Sequence, residues 1–152
     1  MMMGKHKIID SEYSKQAKDF LRKTGSIMSI VYVDSVPQDS VWGDDKCNRN
    51  LMSDKYKVTL KRGHKQFSFD FYGSHYDYER NLRPSHYDIL ACLSLDYYEG
   101  TIDDFVWQYG YEVKSWADVK RIEETYKAVC KQTKSLKRLY DDSEIEMLRE
   151  IY

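Results

Sequence analysis

Several things are scarce in this sequence, and each scarcity excludes a class of protein. Glycine occurs seven times in 152 residues and never in a cluster. No Gly-rich phosphate cradle and no Gly-x-Ser-x-Gly elbow can be drawn, so loop-type nucleotide binding and that form of nucleophilic catalysis are not expected. The three cysteines, Cys47, Cys92 and Cys130, are odd in number and widely spaced. That fits neither a disulfide framework nor a zinc cluster, and reads as reduced thiols in a cytosolic protein. Apolar runs such as Ile30 to Val33 are far shorter than the roughly 18 residues a membrane span needs. The N-terminus passes from Met-Met-Met-Gly-Lys-His-Lys to Ile8, Ile9 and Asp10; without an apolar h-region, secretion is not expected. Net charge of either sign is lacking too: 24 Lys and Arg oppose 25 Asp and Glu, without the basic excess usual in nucleic-acid-binding domains.

What is present describes an ordinary folded chain. A hydrophobic fraction of 41% with 32% charged residues excludes a disordered protein. A chain of this length buries about two thirds of its unfolded surface and needs no staple, so residues 1–152 are expected as one α+β domain. A helix is predicted over 10–25, with Asp10 as its cap, Ala17, Phe20, Leu21 and Tyr13 as its apolar stripe and Gly25 as its stop. Sheet is expected over 26–72: a β-branched strand from Ile27 to Val33, a long loop over 34–53 pinned by Val41 and Trp42, and then a hairpin. In the hairpin Tyr56, Val58 and Leu60 alternate on one arm and Phe67, Phe69 and Phe71 on the other. A two-residue type II′ turn at Gly63-His64 pairs 60 with 67, 58 with 69 and 56 with 71, and sets Lys57 opposite Asp70.

Helices are predicted over 84–152. Ser85 with Asp88, Thr101 with Asp104 and Ser115 with Asp118 each form a Ser/Thr-x-x-acid cap ahead of apolar residues. Gly110 should close the second helix, and the third should run from Trp116 to Leu139, burying Val119, Ile122, Tyr126, Val129, Leu136 and Tyr140. A last helical turn or two is expected from about Ser143 to Ile151. The fold expected is a small three-stranded antiparallel sheet with an N-terminal helix and a C-terminal cluster of about four helices.

Candidates for chemistry are few. His75-Tyr76-Asp77 and His86-Tyr87-Asp88 repeat a tripeptide, but Asp88 is better used as a cap and no nucleophile lies near His75. Asp103 with Asp104, and Asp141 with Asp142, suit the first turns of helices, where the dipole stabilises negative charge. A metal-dependent nuclease built on Asp44, Asp45, His75 and Asp77 is the one enzymatic reading. The expectation is no enzyme, no catalytic residue, no metal site and no cofactor.

Charge segregation is more informative. Pro84 to Val113 carries six acids and no Lys or Arg, whereas Tyr126 to Leu139 carries five basic residues and no acid. The acidic stretch also holds Tyr97, Tyr98, Tyr109 and Tyr111, in a chain with 14 Tyr against 5 Phe, and tyrosine is enriched at interfaces. A partner surface is therefore expected from Asp96, Tyr97, Tyr98, Glu99, Asp103, Asp104, Tyr109 and Tyr111, facing a basic groove on another protein. A second surface, for nucleic acid, is expected from Lys55, Lys57, Lys61, Arg62 and Lys65 on the hairpin, and from Lys127, Lys131, Lys134 and Arg138 on the long helix.

The strings Tyr87-Asp88-Ile89-Leu90-Ala91-Cys92-Leu93, Gly100-Thr101-Ile102 with Asp104-Phe105, Tyr109-Gly110-Tyr111, Tyr126-Lys127-Ala128-Val129 and Leu139-Tyr140 resemble a family of small proteins carried by bacteriophages and mobile elements. The resemblance covers about residues 55 to 151. This chain departs from it with Val106 where a Cys is expected and with a longer Lys114 to Arg121 segment. Such proteins are similar in kind to inhibitors of bacterial defence nucleases, including anti-CRISPR proteins. The resemblance implies a cytoplasmic protein in a host bacterium that binds a defence nuclease complex such as a Cas effector, with contact to its guide RNA or DNA and none to membrane. The alternative is a nucleic-acid-binding phage regulator using the basic hairpin and helix.

Overall fold

The computed structural model describes residues 12–37, 51–76 and 83–151. Asp10, Val41, Trp42, Asp44, Asp45, Cys47 and Asp77, and the side chain of Tyr13, lie outside the described residues. The fold is α+β. Helix α1 (Glu12–Thr24) precedes strands β1 (Ile27–Pro37), β2 (Leu51–Arg62) and β3 (Lys65–Tyr76). Helices α2 (His86–Leu95), α3 (Ile102–Gln108), α4 (Trp116–Leu139) and α5 (Asp142–Arg149) follow. The chain divides into two compact units, Met1–Ile89 and Leu90–Tyr152.

In the first unit the strands form one antiparallel sheet of order β1-β2-β3. The hairpin has the register its alternation predicts: Leu60 faces Phe67, Val58 faces Phe69, Tyr56 faces Phe71 and Lys57 faces Asp70. Gly63 supplies the positive φ of +61° that a type II′ turn requires. Pleating sends alternate residues to opposite faces, so Tyr56, Val58 and Leu60 are at most 3% exposed while Lys57 and Lys61 face solvent. Asp70 pairs diagonally with Lys55 at 3.7 Å. On α1, Ala17, Phe20 and Leu21 are buried.

The connection expected over 34–53 is shorter than predicted, because β1 continues to Pro37 and β2 begins at Leu51. An irregularity between Tyr32 and Asp34 shifts the register by one residue, which sets Ser35 opposite Asp54. The extended pairing mixes polar residues (Asp34 with Lys55, Ser35 with Asp54) with Val36 and Pro37, so it lacks the hydrophobic alternation that marks a strand in sequence. Tyr32 and Ser35 hydroxyls lie 2.5 Å apart, Ser35 Oγ donates to Asp54, and His75 Nδ1 is 2.7 Å from Asp54 Oδ2, a contact without hydrogen-bond geometry.

Helix boundaries follow their caps, the Ser85 start of α2 and the end of α1 lying in the first unit and the others in the second. Asp88 N–H donates to Ser85 Oγ and Ser85 N–H to Asp88, a reciprocal box. Thr101 accepts from Asp104 N–H at 3.2 Å and Ser115 from Asp118 N–H at 3.3 Å. The Asp118 carboxylate accepts from Lys114 N–H. A fourth start, unpredicted as a box, is complete: Asp141 and Glu144 cap each other at the head of α5. At the end of α3, Tyr111 N–H returns to Val106 C=O and Gly110 N–H to Trp107 C=O, a Schellman motif that needs the left-handed Gly110, φ +66°. The same pair of bonds, Ser26 to Leu21 and Gly25 to Arg22, ends α1.

Helix α4 runs over the predicted residues. Ile122, Leu136 and Tyr140 of its predicted stripe are buried, as are Leu139 and Thr133, whereas Val119, Tyr126 and Val129 are half-buried. Thr133 is there because its Oγ1 accepts from Tyr98 N–H at 3.1 Å. Thr133→Val keeps the shape and orphans that buried N–H. It should destabilise the fold by about 1–3 kcal/mol, measurable by urea unfolding.

Candidate interaction surface

The stretch from Leu95 to Trp116 is organised around Phe105, which is 1% exposed. Helix α3 is only seven residues long and is held by this one inward ring. Tyr98, Tyr109, Tyr111 and Tyr126 pack on it with centroids 5.3, 4.8, 5.6 and 5.4 Å away. The Tyr111 contact places the residue after the Schellman glycine on the helix it closes, the usual apolar partner of that motif.

The tyrosine hydroxyls have a structural use. Tyr98 donates to Thr101 C=O at 2.9 Å, Tyr109 to Leu95 C=O at 3.2 Å and Tyr126 to Gly100 C=O at 2.6 Å. Tyr97 donates to Glu99 and carries the Arg149 guanidinium 5.3 Å from its ring centre. Segment 95–101 has carbonyls outside regular structure, and the phenols supply donors to three of them. A phenol supplies apolar area and a donor together, which phenylalanine does not. Tyr97 and Tyr98, expected on a partner surface, are therefore corrected to core residues, each 8% exposed. Tyr111 is half-buried and Tyr109 is 40% exposed.

The acids divide similarly. Asp96 is half-buried beside Cys92, whose thiol donates to it at 3.6 Å; burial raises the Asp96 pKa and the thiol partly offsets this. Glu99 pairs with Lys137 at 2.7 Å. The Lys137 and Tyr97 hydrogen bonds hold its carboxyl below the usual range. That contribution to stability is present at neutral pH and is lost as pH falls through the lowered value. Glu112 pairs with Lys114. Asp103 and Asp104 are exposed, with no ion pair among the described residues.

What the sequence reading missed is tryptophan. Trp107 is 79% and Trp116 86% exposed, with Leu95 and Val113 at half exposure. On α3, Asp103 and Trp107 are four residues apart and share the face opposite Phe105. The available signal was Trp107 two residues from Phe105, since only one of such a pair can face inward on a single short helix.

The basic residues form three groups. On the hairpin, Lys55, Lys57 and Lys61 share the outer sheet face, whereas Arg62 and Lys65 pair with each other in register on the opposite one. On α4, Lys127, Lys131, Lys134 and Arg138 are exposed along one flank. The hairpin cations belong to the first unit and the α4 cations to the second.

Burial pushes the Cys92 thiol up to about 11, with Asp96 adding to the shift through its charge and hydrogen bond. Its thiolate at pH 8 should be roughly two to three orders of magnitude scarcer than an unperturbed thiol's. Alkylation at Cys92, followed by mass spectrometry of its peptide, should be slower in proportion.

Among the described residues no three His, Cys, Asp or Glu side chains gather as metal ligands would, and no helix is long and apolar enough to cross a membrane. The partner of His75 is Asp54, a residue outside the nuclease reading. Comparison of the chain with family models, with curated proteins and with solved structures gives no match.

Proposed function

We propose that the protein acts without catalysis, by docking Asp103, Asp104 and Trp107 onto a basic surface of another protein. The observation that carries this reading is the 79% exposure of Trp107 on the same face as an unpaired carboxylate. An exposed indole is costly in water and is the side chain most often found at the energetic centre of interfaces. The absence of Lys and Arg over residues 84–113 selects a basic partner and disfavours an acidic one. Basic grooves that hold nucleic acid have the complementary charge. The target class we favour is accordingly a nucleic-acid-handling enzyme, and among these a bacterial defence nuclease such as a CRISPR–Cas effector, inhibited in the host cytoplasm by carboxylates that stand where phosphates bind.

The test is capture by the tagged full chain from lysate of a bacterium carrying CRISPR–Cas, with and without nuclease digestion, read by mass spectrometry. The expected result is a nuclease subunit retained after digestion and lost when Trp107 is replaced by Ala. Capture of nucleic acid and its associated proteins alone, vanishing on digestion, would overturn docking and favour a regulator working through Lys57, Lys61 and the α4 flank.

A further inference from the structure

A cleft of about 610 Å³ lies between segment 98–101 and one face of α4, within the roughly 300–1,000 Å³ typical of small-molecule sites. Tyr98, Tyr126, Cys130 and Thr133 contribute to its lining, and Lys134 and Lys137 add their side chains. The walls are pre-formed. Tyr126 is bonded to Gly100 C=O, Tyr98 to Thr101 C=O, and Thr133 to Tyr98 N–H. A site built this way gives up little freedom when it is filled.

Its electrostatics are unequal. Lys137 is neutralised by Glu99 at 2.7 Å, while Lys134 is exposed and has no ion pair among the described residues. Lys131 and Lys127 follow it along the same flank, also exposed. An aromatic-walled cleft with one uncompensated cation complements a planar ring system that carries an anion. A nucleotide has that form, with a base able to stack on tyrosine and a phosphate for the ammonium.

We propose that this cleft binds a nucleotide, with its base against the half-buried Tyr126 and its phosphate on Lys134. A free mononucleotide and one residue of a single strand share this chemistry. Only the strand also places neighbouring phosphates on Lys131 and Lys127. The inference does not depend on docking through α3, because it involves neither Trp107 nor the α3 carboxylates.

The test titrates the full chain with AMP, UMP and a short oligouridylate, reading alkylation of the half-buried Cys130 by mass spectrometry with Cys92 as internal reference. Bound nucleotide should slow modification at Cys130 and leave Cys92 unchanged. Lys134→Ala should weaken binding about tenfold, as expected for loss of a charge-assisted hydrogen bond, and Lys120→Ala should not. If the natural source is a strand, oligouridylate binds more tightly than UMP, its affinity falls with salt, and Lys131→Ala weakens the oligomer alone. If it is a free nucleotide, UMP or AMP binds as tightly as the oligomer. No protection of Cys130 at millimolar nucleotide overturns the proposal. So does binding, read for these variants by titration calorimetry because one of them lacks the reporter thiol, that survives both Lys134→Ala and Cys130→Phe with circular dichroism unchanged.

Discussion

Phe105→Ala should destabilise the Leu90–Tyr152 unit by about 3–5 kcal/mol, the range for truncating a fully buried aromatic ring. Four tyrosines contact this ring, and three of them hold backbone carbonyls of segment 95–101 through their hydroxyls. The loss therefore combines a cavity with loosening of the hydrogen bonds that position the segment. Against a total domain stability of about 5–15 kcal/mol, the variant should be partly unfolded at moderate temperature. Equilibrium urea unfolding gives the value, and amide exchange shows where the loss falls. Protection should drop first over 95–111, with β2 and β3 retaining theirs. A loss below about 1 kcal/mol would mean that the aromatic cluster is not the organising core of this unit.

Trp107→Ala should leave stability within about 0.5 kcal/mol, as for an exposed surface residue. It should nevertheless weaken partner binding by at least about 2 kcal/mol, close to thirtyfold, as removal of a hot-spot tryptophan does. Reversing both neighbouring charges, Asp103→Lys with Asp104→Lys, should slow association and remove its salt dependence, because unpaired surface carboxylates act mainly on encounter. Titration calorimetry and stopped-flow kinetics on the captured subunit measure the two effects separately. Unchanged affinity in Trp107→Ala, with the fold intact, would remove α3 from the interface. Destabilisation in place of lost binding would make the indole a packing residue.

These two residues, two positions apart on one short helix, show how much of the site was legible beforehand. Both are aromatic, both follow the Thr101 cap, and their local sequence gives them the same apolar character. The reason one is 1% and the other 79% exposed is that Tyr98, Tyr109, Tyr111 and Tyr126 arrive from outside the helix to cover Phe105. Tyr97 and Tyr98 illustrate the converse. Their acidic neighbours and polar tips suggest a surface, but the polar tips serve carbonyl and carboxylate groups a few residues away, and the rings are buried.

From the sequence alone came the hairpin register around Gly63, the cap-defined starts of α2, α3 and α4, the glycine stops of α1 and α3, and the separation of acidic and basic stretches. The register, starts and stops rest on bonds between residues within a few positions or on the two-residue alternation of a strand, and the charge separation is composition itself, so all are written locally in the chain. The tertiary structure decided the extension of β1 to Pro37 through the Ser35–Asp54 pairing, the burial of Thr133, the withdrawal of Tyr97 and Tyr98 from the surface, and the exposure of Trp107. Those outcomes depend on which group from elsewhere in the chain supplies the missing hydrogen bond or covers the ring. Only the packed chain provides that information.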